Sequence, residues 1–318
     1  MKCLCSFADC GSGIELISNM LLDILKRTNL QIDYYFSQCM SFNNNVDLNE
    51  YNLIIVNDND VLRHRTDSVL FDKVVYIAHG TVRSRYPKTV TFNPYPKSPF
   101  HYIPITFSPG NKFIFNSQNK TKEFICLTRI NKIKNTIMTL ANTNIEIDFY
   151  SQEQEEFLNN LENIENFHFK GYLPRKEILK ILPSYKGLII SSYDECLCIP
   201  VYEALLSGVV PVMISTEHYF SNNRFLVPFE SFMIFGKPSH EMVKIKLEHL
   251  ERSKEVIQTS LSYDRFILSF LTVLRGLSNL DIRWTGIDKQ ANNICKDSVR
   301  TNRIIYDNCS VDFSILSL

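Results

Sequence analysis

The sequence predicts an α/β protein built as two doubly wound domains facing a central cleft. Three observations predict it. Short apolar β-type runs alternate with helical stretches nearly throughout the chain. The alternation runs twice in tandem, from residue 2 and again from about residue 120, with a proline-rich stretch between. The 318 residues are enough for two ordinary domains, each burying a core of its own. Strands that alternate with helices argue for parallel sheets covered on both faces.

In the first series "KCLCSF" (2–7) reads as a buried strand, followed by a glycine turn and the apolar helix "IELISNMLLDILKR" (14–27). Three further strand candidates follow, "QIDYYF" (31–36), "NLIIVND" (52–58) and "KVVYIAHG" (73–80), each bounded by polar residues. Residues 86–111 carry six prolines and read as short extended pieces and loops. The second series runs "EFICLT" (123–128), a helix from about 135, "IEIDFYS" (145–151), a helix over 152–161 and "FHFKGY" (167–172). It continues with the helix "RKEILKILPSY" (175–185), the strand "GLIISS" (187–192), a helix from Pro200 to Ser207 and the strand "VVPVMI" (209–214). Residues 217–285 read as mostly helical. The expected division is 1–118 and 119–285, with a tail, 286–318, that packs back on the first domain.

Lys and Arg together number 34, as do Asp and Glu, so the formal net charge is zero. This balance disfavours a uniformly basic nucleic-acid binder and leaves room for a local basic patch. No apolar run reaches the roughly 18 residues that span a bilayer, and "MKCLCSFADCGSGIE" turns polar too soon for the apolar region of a signal peptide. The nine cysteines are scattered without a C-x-x-C pair. Neither a zinc site nor a closed disulfide framework is expected, and reduced thiols in a cytoplasmic protein are. "FILSFLTVL" (266–274) reads as a core or interdomain helix, with peripheral membrane contact as its alternative.

The chemistry concentrates in "YDECLCIPVYEALLSGVVPVMIS" (193–215). The preceding strand ends at a carboxyl edge, where doubly wound sheets bind ligands. Pro200 suits the start of a helix and Gly208 the residue just past its end. Exposed N–H groups and the helix dipole favour an anion such as a diphosphate at that start. Glu195 before the helix and Glu203 within it can accept hydrogen bonds from sugar hydroxyls. Taken without context, the same pair reads as a capping glutamate and a solvated helix glutamate.

This segment resembles the E-x7-E motif of retaining GT-B glycosyltransferases, in particular the large family four group (glycosyl transferases group 1). The family carries Glu-Gly-Phe-Gly-Leu-Pro here, and Cys196 and Cys198 stand in place of its two glycines. The resemblance implies two Rossmann-like domains and a metal-independent retaining transfer, with a nucleotide-diphosphate sugar as co-substrate and no cofactor. It makes Glu195 a contact of the donor sugar and Glu203 a ligand of the ribose, with Cys196, Leu197, Cys198 and Ile199 in the donor loop. Upstream, "LTRINKIKN" is similar to the family's Gly-Arg-x4-Lys-Gly segment, which makes Arg129 and Lys134 the cations that grip the diphosphate and neutralise the leaving group. By the same resemblance Gly171, Tyr172 and Leu173 lie near the base, Gly13 of "CGSGIE" at a phosphate or acceptor, and His79 of "YIAHG" near the donor sugar.

Arg83, Arg85 and Lys88 of "RSRYPK" form a candidate acceptor-side patch, with a solvated loop as the alternative. The expected partners are a UDP- or GDP-sugar and a glycan or glycoconjugate acceptor. Two other readings stay open. One is a phage-type glycosyltransferase of hydroxymethylated pyrimidines in DNA, which needs a basic face. The other is a catalytically silent nucleotide-sugar-binding module.

Overall fold

The computed structural model describes residues 1–8, 13–37, 46–57, 71–78, 86–92, 101–103, 113–128, 145–151, 166–191, 198–214 and 227–293. Among these residues the strands form two sheets, one of seven strands and one of six, and the named strands pair in parallel throughout.

The first sheet contains β1 (Lys2–Ala8), β2 (Gln31–Ser37), β3 (Leu53–Asn57), β4 (Val74–Ala78), β5 (Thr89–Thr91), β6 (His101–Tyr102) and β13 (Asn292–Asn293), in the order β13-β2-β1-β3-β4-β5-β6. β3 and β4 are buried at every position, which explains the apolar runs 53–56 and 74–78. One face packs Cys3, Cys5, Phe7, Ile55 and Val75 against α1 (Gly13–Lys26); the other packs Leu4, Ile54, Val56, Val74 and Tyr76 into a second cluster.

The second sheet contains β7 (Lys122–Leu127), β8 (Ile147–Tyr150), β9 (Phe167–Phe169), β10 (Tyr185–Ile190), β11 (Val210–Met213) and β12 (Ile234–Phe235), in the order β12-β11-β10-β7-β8-β9. From β7 the chain moves outward through β8 to β9, then returns to lay β10 on the other side of β7. The order therefore reverses between β7 and β10, which creates a switch-point crevice at their carboxyl ends. α2 (Arg175–Ile181) connects β9 to β10, and α3 (Ile199–Leu206) connects β10 to β11. The helices expected from about 135 and over 152–161 lie outside the described residues.

Three helices follow β12: α4 (His240–Arg252), α5 (Lys254–Ser260) and α6 (Tyr263–Ser278). Ser239 caps α4 by accepting from the Met242 N–H, and Ser262 caps α6 by accepting from the Arg265 N–H. α6 ends on Asn279 in the left-handed conformation. Its buried stripe of Phe266, Phe270, Leu271 and Leu274 makes it a core helix, and the Phe266 ring stacks on Phe92, just past β5, with centroids 6.1 Å apart. After α6 the chain runs along the first sheet. Asn29 donates to the Asp281 carbonyl, Thr285 to the Arg27 carbonyl, and β13 adds a strand beside β2. Among the described residues no helix is long and apolar enough to cross a membrane.

In the proline-rich stretch two of the expected short extended pieces pair into the first sheet. Residues 89–91 and 101–102 are strands that widen the first sheet. They are too short to show periodicity.

Candidate functional site

The switch point of the second sheet is the candidate site. β7 and β10 run side by side, with Cys126 opposite Ile189. Beyond β7 the chain enters 129–144, which holds Arg129 and Lys134; beyond β10 it enters 192–197, which holds Glu195, Cys196 and Leu197. These five residues lie outside the described ones. What the structure shows is that the two segments leave from neighbouring strand ends. Ser191, buried just past β10, hydrogen-bonds Cys126 of β7, and burial pushes the Cys126 thiol up to about 12 despite that bond. The thiol is a packed tie between strands, without thiolate character at neutral pH.

α3 starts where the second segment ends. Cys198 is its N-cap and is buried, Ile199 is the first helical residue, and Pro200 falls in the opening turn, where its missing N–H costs nothing. The helix closes on a Schellman turn. Gly208, at φ +69°, donates to the Leu205 carbonyl, and Val209 donates to the Ala204 carbonyl. Seven of the eight helical residues are buried, and Glu203 is among them at 4% exposure. The solvated-glutamate reading is therefore excluded.

A buried carboxylate needs a partner, and the partner of Glu203 is Arg175. The guanidinium donates from Nε to Oε1 at 2.6 Å, and Nη2 lies 2.6 Å from the same oxygen. Burial pushes the Glu203 carboxyl above its usual range, and Arg175 opposes that rise by its charge and its hydrogen bond. Sequence reasoning missed Arg175. A signal was present: the residue opens α2, where a cation sits against the positive end of the helix dipole and calls for a compensating anion.

Arg175 follows directly on the loop 171–174 that leaves β9. Gly171 adopts φ +76°, a conformation costly for residues with a Cβ, and its carbonyl accepts from the Ser151 N–H at the end of β8. Tyr172 is 60% exposed, and Leu173 is partly buried. The structure thus links three predicted elements, the 171–173 loop, Cys198–Ile199 and Glu203, through the Arg175–Glu203 pair and through strands of one sheet.

In the amino-terminal half, Gly13 opens α1 next to the end of β1. His79, Arg83 and Arg85 lie outside the described residues; the strand before His79 ends at Ala78. Lys88 is described, and it precedes β5 at the amino-terminal edge of the sheet, where its ammonium donates to the Asp72 carbonyl ahead of β4. That edge is opposite the one His79 follows. Tyr86 is buried, stacked on Tyr76 with centroids 5.3 Å apart. Among the described residues no cluster of His, Cys, Asp or Glu is arranged to hold a metal ion.

No protein-family model matches the chain, and no curated protein matches it in sequence. Solved structures do match it in fold. AviGT4, a glycosyltransferase involved in avilamycin A biosynthesis, is similar with a TM-score of 0.60 at 11% identity, over 89% of this chain and 99% of that one. A sucrose-phosphate synthase from Thermosynechococcus elongatus gives 0.59 at 9% identity, over 87% and 98% of the two chains. The apo form of WaaB, a lipopolysaccharide outer core galactosyltransferase, gives 0.52 at 12% identity, over 87% and 99%. The likeness spans both sheets and shows the fold: two Rossmann-like units in the GT-B arrangement.

Proposed function

We propose that the chain is a glycosyltransferase that moves a sugar from a UDP- or GDP-sugar to a hydroxyl of a glycan or glycoconjugate, with retention and without a metal ion. The observation that carries this reading is the buried, arginine-paired Glu203, set in a helix that opens from a switch-point strand end beside an exposed tyrosine loop. A carboxylate buried in an otherwise apolar helix costs stability unless it serves a ligand or a partner. The similar solved structures include two described as a glycosyltransferase and a galactosyltransferase, which supports the same reading.

In this reading residues 119–285 bind the donor and 1–118 the acceptor, in the cytoplasm. The 171–173 loop meets the base, Glu203 the ribose and Glu195 the transferred sugar, with Cys196, Leu197, Cys198 and Ile199 lining the loop. Arg129 and Lys134 neutralise the diphosphate as the bond from the anomeric carbon to its oxygen breaks. The acceptor oxygen forms the new bond on the same face, and its proton passes to the departing phosphate oxygen. His79 and Gly13 serve the sugar and acceptor side, with Arg83 and Arg85 as the anionic-acceptor patch. The hydrogen bond to Asp72 spends Lys88 elsewhere.

A thermal-shift series with UDP- and GDP-sugars tests the binding half. A donor at a hundredfold excess over its Kd adds about 2.7 kcal/mol to stability. One base should raise the melting temperature of the wild type and fail to raise that of Glu203→Ala. Equal shifts in the two proteins would refute the assignment.

A further inference from the structure

The contact between Arg175 and Glu203 is asymmetric. Nε donates to Oε1 and Nη2 lies 2.6 Å from the same oxygen, with no hydrogen bond from the guanidinium to Oε2. A bidentate pair would have used one nitrogen for each oxygen. Arg175 also stands at the first position of α2, immediately after the 171–174 loop, so one short stretch of chain carries both the exposed Tyr172 and the cation that grips Glu203.

We propose that Arg175 is a positioning residue for the ribose of the donor nucleotide: by donating from Nε to Oε1, with the charge of Nη2 beside the same oxygen, it fixes the Glu203 carboxylate and presents Oε2 to the ribose hydroxyls. The inference rests on the nucleotide-binding reading given above.

The physical case has three parts. Glu203 sits in a helix whose other buried members are apolar, apart from the tyrosine hydroxyl, so the helix itself offers little to orient a carboxylate. The planar guanidinium fork sets the tilt of the carboxylate as well as its charge, which an ammonium would not do. The strong burial of Glu203 leaves a ligand hydroxyl to take up the remaining acceptor capacity of the carboxylate, which in water would be taken by solvent. Arg175 thereby couples the base-side loop to the ribose-side helix, which are otherwise 28 positions apart in sequence.

The test compares ribonucleotides with 2′-deoxyribonucleotides on the full chain by titration calorimetry. UDP and GDP, each with its 2′-deoxy counterpart, are titrated into wild type, Arg175→Met and Arg175→Lys. Wild type should prefer the ribonucleotide of its cognate base by about tenfold, the worth of one hydrogen bond to a charged group. Arg175→Met should lose that preference, weakening on the ribonucleotide while changing little on the deoxynucleotide; Arg175→Lys should restore part of it. A merely structural role would weaken both ligands equally. An unchanged preference in Arg175→Met would overturn the inference and leave the function reading intact. If Arg175→Met does not fold, the lysine variant carries the comparison, with a preference cut severalfold in support and an undiminished one against. Failure of the wild type to bind either nucleotide would remove the function reading, and the inference with it.

Discussion

Gly208 and Asn116 approach so closely that a Cβ on the glycine would lie 2.8 Å from the backbone carbonyl carbon of the asparagine and 2.9 Å from its oxygen. The contact joins the carboxyl end of α3 to the segment entering the second sheet, and the Asn116 N–H donates to the Ser207 carbonyl across it. Gly208 is thus required twice, by its φ of +69° and by the backbone against it. Gly208→Ala should destabilise the protein by at least about 1–3 kcal/mol, the cost of a left-handed non-glycine residue, with the clash adding to it. Urea unfolding checks this; an unchanged midpoint would show that the segment yields freely.

Asp148 is the acid of a polar network in the second sheet. It accepts from the Tyr185 hydroxyl at 2.6 Å and from the Lys122 ammonium at 3.2 Å, and the Lys170 ammonium lies 3.4 Å from its other oxygen. Burial works to raise its carboxyl, but the bonds from Tyr185 and Lys122, with the charges of Lys122 and Lys170, outweigh it and hold the group below its ordinary 3.8. A depressed acid contributes stability that is present above the unfolded value and is lost as pH falls through the folded one. Asp148→Asn should therefore cost about 1–3 kcal/mol at pH 7, and the gap to wild type should narrow below about pH 4. Denaturation series at pH 7 and pH 3 measure it; a gap independent of pH would contradict the network.

Most of the central strands were legible because burial on both faces leaves a continuous apolar signature, as in "LIIV" of β3 and "GLII" of β10. β13 was not. Asn292 and Asn293 carry no apolar signal, and their place is set by pairing with β2 and by the bond from Asn292 Nδ2 to Asp33 at 3.2 Å. The same contrast holds at the site. The spacing of Pro200, Glu203 and Gly208 marked out the helix, because caps and turn residues act locally. Whether Glu203 faced solvent or core was beyond that local grammar. Its burial is set by what the fold packs around α3, and its partner Arg175 belongs to another helix. Lys88 shows the converse. Its place in a basic run of sequence gave no sign that its ammonium donates to the Asp72 carbonyl.

The central claim is that this fold turns over a nucleotide-diphosphate sugar at the ends of β7 and β10. The most direct measurement is release of nucleoside diphosphate from UDP- and GDP-sugars without added acceptor, in wild type and Arg129→Ala. The account predicts slow hydrolysis of one donor class by the wild type, reduced about a hundredfold in Arg129→Ala as charge stabilisation of the leaving group is lost. A donor that binds the wild type and is never cleaved would contradict it and leave a silent nucleotide-sugar-binding module.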